Sequence, residues 1–293
     1  MMRNRFPREE LLRVVEASPK AVGTHDRRAW LSIFAKENIV EDPVGSTPHR
    51  TGKTERKAGE MESTPLERFY DTFIAPNEIK FHIKQDIVAG NTVIRDLKIE
   101  IIMSKALAVS VPMHLFYELD DEDGELKICH LSAHWELPAM IKQVMSHGLA
   151  GLQTMTKLGI RMMKYQGIMG SLGFSKGFFG IHQKGKDYVR DFVTAANSRN
   201  AEMLSTLFCP NNTGIEFPEM GATLNPDSFA DSLDIKISIS KILSAGFITT
   251  FTFDADYNGH GYPGVGRFEF DSKTKKIKTA QFFRDEGELN VGP

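Results

Sequence analysis

Cysteine is scarce in this chain, net charge is close to nil, and no apolar run is long. The two cysteines, Cys129 and Cys209, stand far apart inside apolar segments, which argues against a disulfide framework and for a reducing compartment. Lysine and arginine nearly balance aspartate and glutamate, leaving a formal charge of −2. A phosphate-binding surface normally leaves a basic excess, so nucleic acid is not expected as a partner. Nothing approaches the about 18 consecutive uncharged apolar residues of a membrane span. The opening run MMRNRFPREELLRVV mixes arginine and glutamate among its apolar residues, unlike a secretory signal. A cytoplasmic protein is the expectation, with any membrane contact peripheral.

What is present is ordinary globular material: 41% hydrophobic and 25% charged residues. At 293 residues the chain exceeds what one core usually holds, so two domains of roughly 100 to 150 residues are expected. Residues 9–22 carry apolar side chains at helical spacing, with a break expected near Pro19. A second helix is expected from an Asp26 N-cap to about Lys36, with Trp30, Ile33 and Phe34 on one side. An insertion containing GKTERKAGEMESTP follows, then a short helix, LERFYDTFI. From Glu78 the period changes to two through three strand-like runs that end at SAHWEL, the last two joined by the turn DDEDG. The second half repeats this order: two helical runs, then DSFADSLDIKISI, GFITTFTFDADY, GVGRFEFD and KKIKTAQFFRDE as strand-like segments. Phe208, Asn212 and Glu216-Phe217-Pro218 stand to the second half as Phe34, Asn38 and Glu41-Asp42-Pro43 stand to the first. One unit has been duplicated. Helices on one face of a strongly curved antiparallel sheet give an α+β arrangement with a blind conical cavity, a natural place for a small apolar ligand.

Asp42 opens the stretch DPVGSTPHRTG. An aspartate before proline either caps a water-facing turn or forms a cavity wall, and its place after NIVE favours the wall. His130 and His134 would lie about 13 Å apart along a strand, too far for one metal ion. Arg95 and Asp96 are adjacent in a strand, so they point to opposite faces, and a solvated face is the favoured reading. Glu216 reads as an exposed turn carboxylate. Residues 138–186 contain no aspartate or glutamate, while Lys142, Lys157, Arg161, Lys164, Lys176, Lys184 and Lys186 add positive charge. From Met140 to Met163 apolar residues recur at three and four, with Gln153, Lys157, Arg161 and Lys164 on another side. Such a basic amphipathic helix suits an anionic membrane surface. The favoured alternative is an inter-domain helix whose methionines fill irregular gaps.

The stretch HDRRAWLSIFAKENIVEDPVGSTPHRTG resembles the equivalent part of the ketosteroid isomerases, members of the NTF2-like or SnoaL-like superfamily. LERFYDTFI, SAHWE and the terminal IKTAQFFRD fit as well. The resemblance implies a tandem pair of cone-shaped α+β barrels, at 1–137 and 183–293, joined by a basic, methionine-rich helical linker at 138–182. It places Asp42 on the base that moves a proton between carbons of an enolisable ketone, in a family whose logic is a known example of pKa tuning. Tyr70 matches a pocket tyrosine, and Trp135, Leu131 and Phe34 match pocket walls. The family's oxyanion-hole tyrosine falls on Ser18, and its protonated aspartic acid on Leu115, or on His114 with a register shift of one. In the second half the base falls on Phe217 or Glu216, the tyrosine on Phe192 and the aspartic acid near Gly266, so isomerase chemistry is not expected there.

The resulting expectation is a ketosteroid-isomerase-like protein that binds a small hydrophobic carbonyl compound, with Asp42 as base and Tyr70 or His114 as donor to the enolate oxygen. It needs no cofactor or metal, because a carboxylate and hydrogen-bond donors suffice for enolisation. The alternative is a non-catalytic carrier of a lipophilic ligand that meets a membrane or partner through the linker. The resemblance also implies pairing of sheets, in a homodimer or an internal pseudo-dimer.

Overall fold

The structure, a computed structural model, describes residues 6–52, 63–232, 235–257 and 260–285. Most of the expected insertion therefore lies outside the described residues. The chain forms two compact units, Met1–Lys84 with Asn91–Phe178, and Gln85–Gly90 with Phe179–Pro293.

The first unit opens with helix α1 (Arg8–Gly23), which buries Leu11, Val15, Ser18, Ala21 and Val22. It runs through Pro19 instead of stopping there. Proline forfeits one backbone bond, but the burial of Ala21 and Val22 beyond it holds the last turn. Helix α2 (Arg27–Ser32) starts at Asp26, whose side chain accepts from the Ala29 N–H at 2.9 Å. It is shorter than expected, because Phe34 already begins strand β1 (Phe34–Glu41). Strand β2 (His49–Thr51) pairs with β1. Helix α3 (Pro65–Phe69) is closed by a Thr64/Glu67 capping box and continues as a π-helical turn, Tyr70–Ile74. Strands β3 (Glu78–Ala89), β4 (Thr92–Ser104), β5 (Leu107–Glu122) and β6 (Glu125–His134) complete a sheet of order β2-β1-β6-β5-β4-β3. The β1–β6 pair is parallel, in a sheet expected to be antiparallel throughout.

Residues set apart in sequence as a linker fold onto this unit. They form α4 (Leu137–Ser146), α5 (Leu149–Tyr165), α6 (Gly167–Ser175) and a 3₁₀ turn, Lys176–Phe178. The single helix expected over 140–163 is broken at His147–Gly148. Residues up to Phe178 group with the first unit because the apolar side chains of α4 and α5, Met140, Val144, Leu158 and Met162, are buried within it.

The second unit repeats the plan with α7 (His182–Asn197), α8 (Ala201–Leu207), β7 (Gly214–Phe217), β8 (Ala222–Leu224), α9 (Pro226–Ser232), β9 (Ile235–Ala245), β10 (Ile248–Tyr257), β11 (His260–Phe270) and β12 (Ile277–Arg284). Its sheet order, β8-β7-β12-β11-β10-β9, is the same order again, and β7–β12 is its parallel pair. The segment beginning DSFADS, read as strand, is helix α9 up to Ser232. Local details recur too. Asn200 caps α8 as Asp26 caps α2, and each is preceded by a residue at φ 53°, Arg199 and His25. Asn38 donates to the Ala35 carbonyl and Asn212 to the Cys209 carbonyl, three residues back in both cases.

This register makes the two cores comparable residue by residue. Ser18 and Phe192 each lie seven residues before the left-handed residue of the helical hairpin. Val40 pairs with Leu131 and Ile215 with Ala280, so Asp42 corresponds to Phe217. Leu115 pairs with Ala133 and Gly266 with Phe282, so Leu115 corresponds to Gly266. In the second unit Phe192 contacts Phe229, Phe268 and Phe282 at centroid distances of 4.9–5.6 Å. Phe217 stacks on Phe229 and Phe282. Gly266 admits the Phe251 ring, whose Cζ would lie 2.1 Å from an added Cβ.

Gly266→Ala should therefore overpack this ring cluster and lower stability by about 1–3 kcal/mol. Gly159→Ala, in α5 where an added Cβ meets nothing within 4 Å, should be neutral or stabilise by up to about 1 kcal/mol. Urea unfolding midpoints of the two variants check the contrast.

Candidate functional site

The first unit encloses a cavity of about 140 Å³. Space of that kind holds on the order of ten water molecules, enough for a compact organic ligand. Alternation along the strands builds its floor: Val111, Met113, Leu115 and Tyr117 of β5 all face inward, as do Ile99, Ile101 and Met103 of β4. Helix α1 contributes Ser18 and Val22, while α4, α5 and α6 cover it with Met140, Leu158 and Phe174. The wall is overwhelmingly apolar. The difference from the second unit follows from side-chain size: a serine and an aspartate stand where Phe192 and Phe217 stand there.

Asp42 borders this cavity. It follows the last residue of β1 and joins Pro43 through a cis peptide bond. The following turn is pinned by three bonds: Val44 N–H to the Ala133 carbonyl, Ser46 Oγ–H to the Pro43 carbonyl, and Thr47 N–H to the Gly173 carbonyl of α6. The Trp135 indole N–H donates to Asp42 Oδ1 at 2.6 Å. Burial pushes the Asp42 carboxyl up to about 6, the Trp135 hydrogen bond pulling the other way. The side chain keeps some accessible surface because it faces the hollow.

Of the residues expected at the site, Asp42, Ser18, Leu115, Leu131 and Trp135 border the cavity together. Three others do not. Phe34 is buried behind the wall, its ring 4.7 Å from Trp30. Tyr70 also packs on Trp30, at 5.5 Å. Its hydroxyl is buried without a partner among the described residues, and the charges that act on it are Arg27 and Asp26 at the start of α2 and Asp71 of its own turn. Burial is the main cause of its raised pKa. His114 is adjacent to Leu115 and so lies on the opposite face of β5, fully buried with Nε2 3.9 Å from Asp96 Oδ1. Neither proposed donor reaches the cavity.

Other expectations need correction. Arg95 and Asp96 are not on a solvated face: both are buried, and Arg95 meets Glu16 of α1 at 3.0 Å. Glu216 is a half-buried strand residue that accepts from Gln281 at 2.9 Å. His130 bonds to Glu118 and lies 3.6 Å from Glu41, which hold it up to about 9 and so protonated at neutral pH. His134 is buried against the Phe116 ring instead. Sequence reasoning missed Tyr117, Thr154 and Arg161 as wall residues. The sequence pattern groups Arg161 with Gln153, Lys157 and Lys164 on a side of the helix other than the apolar one. Its spacing of three from Leu158 and seven from Thr154 was the signal that it shares their face.

The carboxyl of Asp42 titrates near 6 when folded and near 3.8 in the unfolded chain. Between those values the folded state holds more protons, so wild-type stability falls as pH rises from about 4 to about 6 and then levels. Asp42→Asn should raise stability above pH 7 by up to about 3 kcal/mol, and the gain should vanish near pH 4. Denaturant titrations across pH check both the sign and the window.

No protein-family profile and no curated protein matches the chain. Among solved structures, it is similar to a Δ5-3-ketosteroid isomerase from Mycobacterium sp., at 23% identity and TM-score 0.35, over 45% of this chain and 96% of that one. It is also similar to an LEH-like epoxide hydrolase from M. tuberculosis, at 18% identity and TM-score 0.36, over 52% and 96%. An NTF2-like protein of unknown function from Cytophaga hutchinsonii matches at 19% identity and TM-score 0.31, over 36% and 93%. By its own strand order, parallel β1–β6 and β7–β12 pairs and helical cover, the chain is a tandem of two α+β units built on one plan.

Proposed function

We propose that the first unit binds a small hydrophobic carbonyl compound and that Asp42 shuttles a proton between its carbons. The observation that supports this is a carboxylate set in the wall of an apolar cavity and raised to about 6. Such a group is mostly ionised at neutral pH, yet more basic than an exposed aspartate, as proton abstraction beside a carbonyl requires. Trp135 engages Oδ1, which orients the carboxylate and leaves Oδ2 to take the proton. Enolate stabilisation would fall to hydroxyls on the cavity wall, Ser18 or Tyr117, since Tyr70 and His114 do not border it and Thr154 gives its hydroxyl proton to the Ala150 carbonyl. The second unit, with Phe217 at the position of Asp42, serves as scaffold.

A β,γ-unsaturated ketone, such as a Δ5-3-ketosteroid, should be converted to its conjugated isomer, followed by the rise of enone absorbance. The rate should increase with pH through about 6 and then level. Asp42→Asn should slow it by about 10²–10⁴-fold. Unchanged turnover in that variant would remove Asp42 from the chemistry.

A second reading, a carrier that collects its ligand from an anionic bilayer, is favoured by the outer side of α5. Leu149, Leu152, Ile160 and Met163 are 79%, 53%, 65% and 50% exposed. At about 100° per residue they fall within one sector of about 80°, opposite the buried Leu158. Lys157 and Lys164 lie along one edge of that stripe, and residues 138–186 hold no carboxylate side chain. Charge and apolarity together match a membrane surface. Flotation with phosphatidylserine vesicles, abolished by Ile160→Glu and absent with phosphatidylcholine alone, is the expected outcome. Equal flotation of the variant would discard this surface.

A further inference from the structure

Asp42 and Arg161 are the two charged residues among the described residues that border the cavity, and they carry opposite signs. They do not neutralise one another. Burial and Trp135 govern Asp42, with no contribution from Arg161; burial lowers the Arg161 pKa, and Tyr165 is the sole titratable group acting on it. Arg161 Nε is buried with no hydrogen-bond partner among the described residues. The residue is half-buried, and at Nε a donor has given up its hydration to an apolar wall without a replacement.

Its neighbours explain how it arrived there. Thr154, Leu158 and Arg161 follow one another at four and three along α5 and all border the cavity. Thr154 gives its hydroxyl proton to the Ala150 carbonyl at 2.8 Å, leaving oxygen lone pairs but no donor for a ligand. Arg161 is therefore the strongest donor on this side of the hollow. A planar guanidinium is matched best by a two-oxygen anion, which it can hold through two parallel bonds.

We propose that the ligand is an amphiphile with an acid group, a carboxylate or a comparable monoanionic oxyacid, held by Arg161 while its neutral carbonyl end lies at Asp42 and Trp135. The proposal rests on the reading of the cavity as a ligand site. Polarity fixes the direction of binding. At neutral pH the ionised Asp42 repels an anionic end, and Arg161 attracts it, so the reversed orientation is disfavoured at both termini. The apolar stretch between them, Met113, Leu115 and Leu131 among others, accepts the hydrocarbon body.

Both tryptophans of the chain, Trp30 and Trp135, border the cavity, so quenching of intrinsic fluorescence reports occupancy. Retinoic acid and methyl retinoate, which share one body and differ in the charged end, are titrated at pH 8 into wild type, Arg161→Met and Arg161→Lys. The acid should bind wild type at least tenfold more tightly than the ester. Arg161→Met, which keeps an unbranched apolar stem, should lose that preference while its affinity for the ester stays within twofold. Arg161→Lys should retain part of it. Equal binding of acid and ester to wild type, or a preference that survives Arg161→Met, overturns the acid assignment and leaves the cavity reading standing. Failure of both compounds to quench overturns the cavity reading with it.

Discussion

The first unit is organised around a carboxylate that has been taken out of water. Removing an ionised group from solvent is costly unless something replaces its hydration, and at Asp42 the replacement is a single indole N–H at 2.6 Å. One donor is enough to orient the group but not to restore its usual acidity, so its pKa stays raised. The surrounding structure keeps that balance in place. Strand β1 delivers Asp42 to the wall, β6 delivers Trp135, and the turn between β1 and β2 is tied to the sheet at Ala133 and to α6 at Gly173. An added Cβ on Gly173 would sit 2.9 Å from Thr47, so the close approach of α6 to this turn depends on glycine.

Comparison of the two units shows how little separates a hollow from a filled core. Their strand order, caps and asparagine bonds coincide. What differs is where aromatic bulk has been placed. Phe192 and Phe217 occupy positions held by Ser18 and Asp42, and Gly266 gives up its side chain so that Phe251 can enter. The rings then satisfy one another through tilted and edge-on contacts, the arrangement aromatic quadrupoles favour. In the first unit the ring contacts run from Trp30 through Phe69 and Phe73 to Phe174 along the wall, and helices α4, α5 and α6 cover the space beside them. Helix α5 is unusual in carrying apolar side chains on two opposite sides, one toward the cavity and one exposed.

Much of this was legible in the sequence. The change of period from three or four to two located the helices and strands, and the recurrence of Phe34, Asn38 and Glu41-Asp42-Pro43 as Phe208, Asn212 and Glu216-Phe217-Pro218 disclosed the duplication. The Asp42, Ser18, Leu115, Leu131 and Trp135 positions could be assigned by resemblance because they sit on regular elements or directly at their ends. Boundaries failed where local and tertiary preferences disagree: α1 continues through Pro19 since burial outweighs one lost bond, and α2 stops early because Phe34 is needed in the sheet. The segment at Asp227 misled because its apolar residues are too few to fix a period.

What the amino-acid order determined by itself is therefore the repeated α+β plan and which residues alternate inward on each strand, since those depend on local periodicity. Which charged group joins Asp42 in the wall was decided by tertiary structure alone. Tyr70 and His114 are as polar in sequence as Arg161, but the register of β5 turns His114 away and the packing of Trp30 holds Tyr70 behind the wall. The fold of α5 onto the cone brings Arg161 in. Burial, and with it the chemistry of a charged side chain, is a property of what surrounds it in space, and no neighbour along the chain supplies that information.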